Sequence, residues 1–314
     1  MKVLVVNDDG IFNKNLKILV NYLKNIYDEV MVLAPSTEQS AMSHRINIKG
    51  PIKLTVHEDL FEGVKAYSID STPADCVKFA VDYLKYDFDI LFSGINDGLN
   101  LADDISYSGT VAAVLEASYY NKKGIALSVL KGQNEGILES LDIFMQDYLK
   151  NAIYDKFQAF NVNLPLYPKG IKYVPQGSGN YEYYFTNEGN NIYIPRIRPK
   201  YAKRDIIVHD LDAFHNGYIS VTPLTVDKTD YQVLNKINNK ETFIFIILIG
   251  DIVKIFKWLF KSLLFGILFL FIFNVIGRFF NLNIPINIYT VLIVSTLKIP
   301  GVCLILIYNL VLYK

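Results

Sequence analysis

Asp8 and Asp9 stand side by side directly after the apolar run 3–6, with Gly10 behind them. Adjacent carboxylates repel unless a cation neutralises them, so this triplet reads as a cation site or as an Asx turn. A second polar cluster, 36–44, follows Ala34-Pro35 and holds Glu38, Gln39, Ser40 and His44. Its hydroxyls and amide could supply neutral oxygen ligands. The third cluster runs Ser93-Gly94-Ile95-Asn96-Asp97-Gly98-Leu99-Asn100, then Asp103-Asp104, then Tyr107-Ser108-Gly109-Thr110-Val111. Ser108-Gly109-Thr110 opens an expected helix. Its free N–H groups, hydroxyls and positive dipole end suit a phosphate, although taken singly it is an ordinary N-cap. Two clusters suited to a cation and one to an anion point to phosphoryl chemistry with a hard ion such as Mg²⁺ or Mn²⁺. Histidine is not required. His57 and His215 read as surface residues, His209-Asp210 as structural, and His44 as a secondary candidate for the pocket wall. Cys76, in Ala-Asp-Cys-Val, reads as a small core residue.

These clusters need a frame that brings them together. The run 3–6 reads as a parallel strand buried on both faces, and Leu16, Leu19, Val20 and Leu23 recur at helical spacing. A second strand over 30–33 completes a βαβ unit, so the chain opens as a doubly wound, mostly parallel α/β sheet. The alternation continues with strands at 64–69, 90–92 and 125–129 and helices near 73–84 and 108–120. Each polar cluster then follows a strand end, where open α/β sheets place their ligands. From about Gln158 the pattern changes to a β-rich extension ending near 219–224. There Tyr181, Tyr183 and Phe185 alternate, so they share one strand face and predict an aromatic contact with a second copy.

Composition divides the chain in two. The 314 residues carry 31 Lys+Arg and 31 Asp+Glu, which excludes a generally basic binder of nucleic-acid polymers, and two cysteines exclude a disulfide scaffold. Residues 1–240 hold 25 basic and 29 acidic residues, whereas 241–314 hold six and two. We read 1–234 as a soluble catalytic domain, 235–241 as a polar linker and 242–314 as a hydrophobic membrane segment. Met1-Lys2 precede four apolar residues, short of an export signal, so the first domain is expected in the cytoplasm.

The motifs of the first domain resemble the SurE family of survival proteins. Val5-Val6-Asn7-Asp8-Asp9-Gly10, Ala34-Pro35 with Gln39-Ser40, Thr72-Pro73-Ala74-Asp75-Cys76-Val77, Ser93-Gly94-Ile95-Asn96, Tyr107-Ser108-Gly109-Thr110-Val111 and Ser220-Val221-Thr222-Pro223-Leu224 occur in the family's order over about residues 1–230. The resemblance implies a Rossmann-like SurE fold, a homodimer or higher homo-oligomer, and a metal-dependent 5′(3′)-nucleotidase acting on nucleoside monophosphates. It maps one divalent metal ion onto Asp8, Asp9, Ser40 and Asn96. Asn96, Ser108, Gly109 and Thr110 would then hold phosphate oxygens, and either Asp8 or Asp9 would be the catalytic base. The chain departs from the family's glycines at Ser71, Ala102 and Ala117; of these, Ala102 is expected to stiffen the substrate loop.

In the tail, the run 243–249 is too short to span a bilayer. Lys254, Lys257 and Lys261 share one helix face, with Trp258 as an interfacial anchor. The 16 uncharged residues 262–277 give about 24 Å of helix, short of a ~30 Å hydrocarbon core unless residues 258–261 extend them. Pro285, among Asn281, Asn283 and Asn287, predicts a broken or re-entrant segment, and 299–313 is the last apolar run. Lys257-Trp258, Asn274-Val275-Ile276-Gly277, Ile284-Pro285-Ile286-Asn287 and Ile299-Pro300-Gly301-Val302 resemble the BofA family over roughly 250–314. That resemblance implies membrane lipid and an intramembrane metalloprotease as partners, met through Asn274 and Asn287.

Overall fold

The computed structural model describes residues 1–312 except 134, 157, 180, 239 and 281, and the backbone alone at 153, 199, 238, 240–251 and 309–312. Two compact units divide at Lys228 and Thr229.

In the first unit the strands are β1 (Lys2–Val6), β2 (Glu29–Pro35), β3 (Leu54–His57), β4 (Lys65–Ile69), β5 (Ile90–Asp97), β6 (Lys123–Val129), β7 (Ala159–Leu164), β8 (Ile171–Tyr173), β9 (Tyr181–Asn187), β10 (Tyr193–Pro199) and β11 (Ile219–Leu224). The helices are α1 (Lys14–Leu23), α2 (Pro73–Asp82), α3 (Gly109–Tyr119), α4 (Ile137–Lys150) and α5 (Asp210–His215). Among the described residues nine strands form one sheet, in the order β3-β4-β2-β1-β5-β6-β7-β11-β8. From β4 to β7 every pairing is parallel. β3 pairs antiparallel with β4 at one edge, and β11 runs antiparallel to β7 near the other.

Buried Val and Leu runs make β1 and β2 central, as continuous apolar strands must be. Leu16, Leu19, Val20 and Leu23 place α1 on one face, where Phe144 and Met145 of α4 share the same core. Cys76 and Val77 of α2 and Val111, Val114 and Ala117 of α3 fill the other face. Thr72 caps α2 by accepting from Asp75 N–H (3.2 Å), with Pro73 at the first helical position. The β-rich extension has two parts. β7, β8 and β11 extend the main sheet, and only β9 and β10 stand apart as a two-stranded ribbon.

The second unit is helical: α6 (Tyr231–Asn238), α7 (Lys240–Gly277), α8 (Ile288–Leu297) and α9 (Ile299–Leu312). The stretch expected as a linker is helical on both sides of Asn239, which lies outside the described residues, as do Asn281 and Tyr313; the side chains of 243–249 are likewise outside them. Ile252–Phe280 is 29 residues of continuous helix, long and apolar enough to cross a membrane. The chain breaks around Pro285, and α8 and α9 are shorter. Asn274 exchanges two hydrogen bonds with the Ile284 backbone, Nδ2 to the carbonyl (2.7 Å) and Oδ1 from the N–H (2.8 Å). Asn287 caps α8, accepting from Tyr289 and Thr290 N–H (both 3.0 Å). The Asn274 amide, expected to await a partner, is thus bonded within the hairpin itself, and the Asn287 carbonyl oxygen serves as a cap.

Candidate active site

β1 and β5 lie side by side at the point where the strand order reverses, with β2 beyond β1 and β6 beyond β5. Their carboxyl ends therefore face a crevice. Asp8 leaves β1 almost fully buried. Its Oδ1 accepts from the Thr110 hydroxyl (2.5 Å) and its Oδ2 from Thr110 N–H (3.3 Å). Burial pushes the Asp8 carboxyl up to about 6, the Thr110 bond opposes the rise, and the charge on Asp9 adds to it. Asp9 is more open. Burial raises its carboxyl as well, against the Asp97 N–H that donates to its Oδ2 (3.2 Å) and the positive charge of Lys131.

Gly94 explains how β5 turns its end toward the pair. The register against β6 slips between Ser93 and Asn96, and Gly94 takes φ +125°. A Cβ there would lie 2.4 Å from the Leu127 carbonyl oxygen. Beyond this bulge Asn96 donates Nδ2 to the Gly98 carbonyl (2.7 Å), which leaves Oδ1 as its outward acceptor. Ser40 comes from the loop after β2. That loop is pinned by Gln39 N–H to the Asp8 carbonyl (2.7 Å) and Ser43 N–H to the Tyr107 carbonyl (2.9 Å). The Ser40 hydroxyl donates to Glu38 Oε1 (2.5 Å).

α3 brings its amino terminus against Asp8. Ser108 caps it, accepting from Val111 N–H (3.1 Å). Gly109 is what permits the approach, because a Cβ there would stand 3.1 Å from Asp8 Cβ and 3.3 Å from Oδ2. Asp8, Asp9, Ser40, Asn96 and Ser108 line one cavity of about 930 Å³. Gly109 and Thr110 do not line it; they sit behind Asp8, with Thr110 fully buried. His44 also lies off the cavity. It bonds Glu116 Oε2 (2.8 Å) on α3, whose Oε1 meets Lys78 (3.4 Å). Burial alone would raise the Glu116 carboxyl, but the hydrogen bond with His44 and the charge of Lys78 hold it below its usual range.

Several cavity residues are not evident from motifs. Glu38 and Asp97 are neighbours of named ligands, and their charge was a usable signal. Lys131, Tyr183 and Ile197 reach the cavity only through tertiary folding. Tyr183 and Ile197 pair across the β9–β10 ribbon. A further buried network fixes the loop after Asn96. The Asn100 carbonyl accepts from Asn161 (2.7 Å) and Asn163 (3.0 Å), and Asn100 Nδ2 donates to Ser128 (2.8 Å). Ala102 closes that loop in the left-handed region, φ +52°. Its N–H donates to buried Asp210 (2.8 Å), and its carbonyl accepts from Gln176 (2.8 Å).

Among the described residues no cluster of three His, Cys, Asp or Glu side chains is arranged to hold a metal. The site instead gathers two carboxylates with a hydroxyl and an amide oxygen, an all-oxygen set that fits a hard divalent cation rather than zinc. The carboxyls of Asp8 and Asp9, both raised chiefly by burial, fit the same reading, since a bound cation would offset the cost of burying their charge.

A doubly wound α/β sheet with an acidic, oxygen-lined cavity at its switch point is the class this unit defines. The family model described as survival protein SurE matches residues 3–183, more than half of the chain. The chain belongs to the SurE family. A protein named 5′-nucleotidase SurE from Thermoanaerobacter sp. (strain X514) is 37% identical over 259 residues, covering 76% of this chain and 98% of the relative. The Clostridium beijerinckii protein of the same name is 35% identical, with the same coverage. The crystal structure of SurE protein from Aquifex aeolicus superimposes with a TM-score of 0.64 at 31% identity, covering 77% of this chain and all of that one. A second family model, SigmaK-factor processing regulatory protein BofA, matches residues 242–311.

Proposed function

We propose that this chain is a divalent-metal-dependent phosphomonoesterase that releases phosphate from nucleoside 5′(3′)-monophosphates, carried on a membrane-anchoring tail. The observation that carries the reading is the convergence of Asp8, Asp9, Ser40, Asn96 and Ser108 on one cavity. The SurE relatives, named 5′-nucleotidases, support the nucleotidase activity. Asp8, Asp9, Ser40 and Asn96 would hold one Mn²⁺ or Mg²⁺, which when bound supplies Lewis acidity at phosphate and a more acidic water. Asn96, through the second hydrogen of its Nδ2, and Ser108, through its hydroxyl, would orient the phosphate oxygens at the amino-terminal end of α3. Gly109 allows the close approach of that end, and Thr110 keeps Asp8 in place.

Of the two carboxylates, Asp9 suits the base. Each Asp8 oxygen already accepts a hydrogen bond from Thr110, whereas Asp9 accepts one, from Asp97 N–H, and so keeps more capacity to receive the proton of an attacking water. The test is phosphate release from AMP by the full chain in detergent, with chelator or with added Mn²⁺. We expect activity only with the ion, and a loss of at least ~10²-fold in Asp9→Asn. Absence of release from every nucleoside monophosphate tried, with either ion, would overturn the reading.

The same proposal takes residues 1–234 as the catalytic domain, on the cytoplasmic side, and 242–314 as the anchor. The BofA match and the apolar helix Ile252–Phe280 favour a second reading, in which the tail restrains an intramembrane metalloprotease and the first domain is a weak or passive passenger. Co-expression of the chain with such a protease should then slow substrate cleavage, and an unchanged rate at excess chain would remove this reading.

A further inference from the structure

Lys131 is a cation on an acidic wall. Five carboxylates line the cavity, from Asp8, Asp9, Glu38, Asp97 and Asp104, and among the described residues Lys131 is the one lysine or arginine that joins them. Its loop leaves β6 beside the end of β5 and is held in place. Gly132 N–H donates to Asp97 Oδ1 (2.8 Å), and Gln133 N–H closes a turn on the Leu130 carbonyl (2.9 Å). Asp97 in turn donates its N–H to Asp9. The loop that carries the lysine is therefore two hydrogen bonds from the carboxylate pair. None of the described ion pairs engages Lys131.

A dianionic phosphate entering this cavity meets repulsion from the surrounding carboxylates. We propose that Lys131 is a substrate-positioning residue whose ammonium binds phosphate oxygens at the cavity wall, an inference that rests on the phosphomonoesterase reading. A point charge on a flexible stem attracts the phosphate equally before and during reaction. Such uniform binding acts on KM and leaves kcat nearly alone. It also weakens with salt, because the lysine is exposed.

The experiment compares the full chain in detergent with Lys131→Gln and Lys131→Arg, each loaded with Mn²⁺. Three quantities are measured: kcat and KM for AMP, inhibition by inorganic phosphate, and phosphate affinity by calorimetry. In Lys131→Gln we expect KM and the phosphate constants to rise about tenfold, one charge-assisted hydrogen bond's worth, with kcat within about twofold. Lys131→Arg should restore most of that loss, and the salt dependence of kcat/KM should flatten in Lys131→Gln. Unchanged KM and phosphate affinity in Lys131→Gln, or a fall in kcat alone, would overturn the proposal. Should the parent chain hydrolyse no monophosphate, the enzymatic reading fails by itself. Calorimetry then still decides the lysine's role: weaker phosphate binding in Lys131→Gln supports it, and equal binding ends it.

Discussion

Asp8 works against folding when the chain holds no cation. Its carboxyl is raised from 3.8 to about 6, so the folded state binds that proton more tightly than the unfolded chain does. The group's stabilising contribution is fully present below about pH 3.8 and is lost as pH rises through about 6. In chelator, Asp8→Asn should therefore unfold at a higher temperature than the parent at pH 7.5 and lose that advantage near pH 4. Calorimetric scans at the two pH values check this, and an equal offset at both would refute the shift. Ala102 offers a second test. An alanine in the left-handed region costs roughly 1–2 kcal/mol, part of which the extra backbone freedom of glycine takes back. Ala102→Gly should raise stability by about 0.5–1 kcal/mol in urea unfolding. The motif comparison marked this position as a departure from glycine, and the backbone angle shows why glycine belongs there.

The legible elements are those whose burial repeats in the sequence. β1, β2, α1 and α3 announce themselves through runs or helical spacing of apolar residues, and the polar clusters at their ends mark the site. α4 and β3 do not. α4 follows an irregular loop, and its buried apolar residues Ile137, Leu141, Phe144 and Met145 sit among four charged ones. β3 is an edge strand with an exposed middle, so it carries no apolar run. The site is legible to the same extent. Residues within motifs were visible, whereas Lys131, Tyr183 and the Asn100–Asn161–Asn163 network come from segments far apart in sequence. Contact between elements also decides what Gly109 does. In Gly109→Ala the added methyl would press on Asp8 across 3.1 Å, so α3 or the carboxylate must give by a few tenths of an ångström. We expect about a tenfold loss of kcat/KM with folding retained, measured by AMP hydrolysis alongside circular dichroism. Full activity would show that the approach of α3 to Asp8 is not critical.

At the scale of the whole chain, two features ask for partners. The β9–β10 ribbon exposes Tyr183, Phe185, Tyr193 and Ile197, each more than half accessible. Aromatic surface of that extent is typical of contacts between copies. Light scattering of the full chain in detergent should return a dimer or larger, and replacing Phe185 and Tyr193 by serine should shift it toward monomer. A monomeric parent at micromolar concentration would contradict this. The other feature is the length of α7. The 29 apolar-helix residues Ile252–Phe280 rise about 43 Å, against a hydrocarbon thickness of ~30 Å. Setting aside the three-lysine portion 252–261 leaves 16 uncharged residues of α7, about 24 Å, and the short turn Arg278–Phe280 brings the helical stretch to about 28 Å, close to that thickness. The result is a reserve against hydrophobic mismatch. A thicker bilayer can draw in Leu259 and Phe260 while the lysine stems stretch toward the headgroups, and a thinner one is met by tilt. A tail built this way, if it serves as the proposed anchor, fits membranes that differ by several ångströms without repacking α8 and α9.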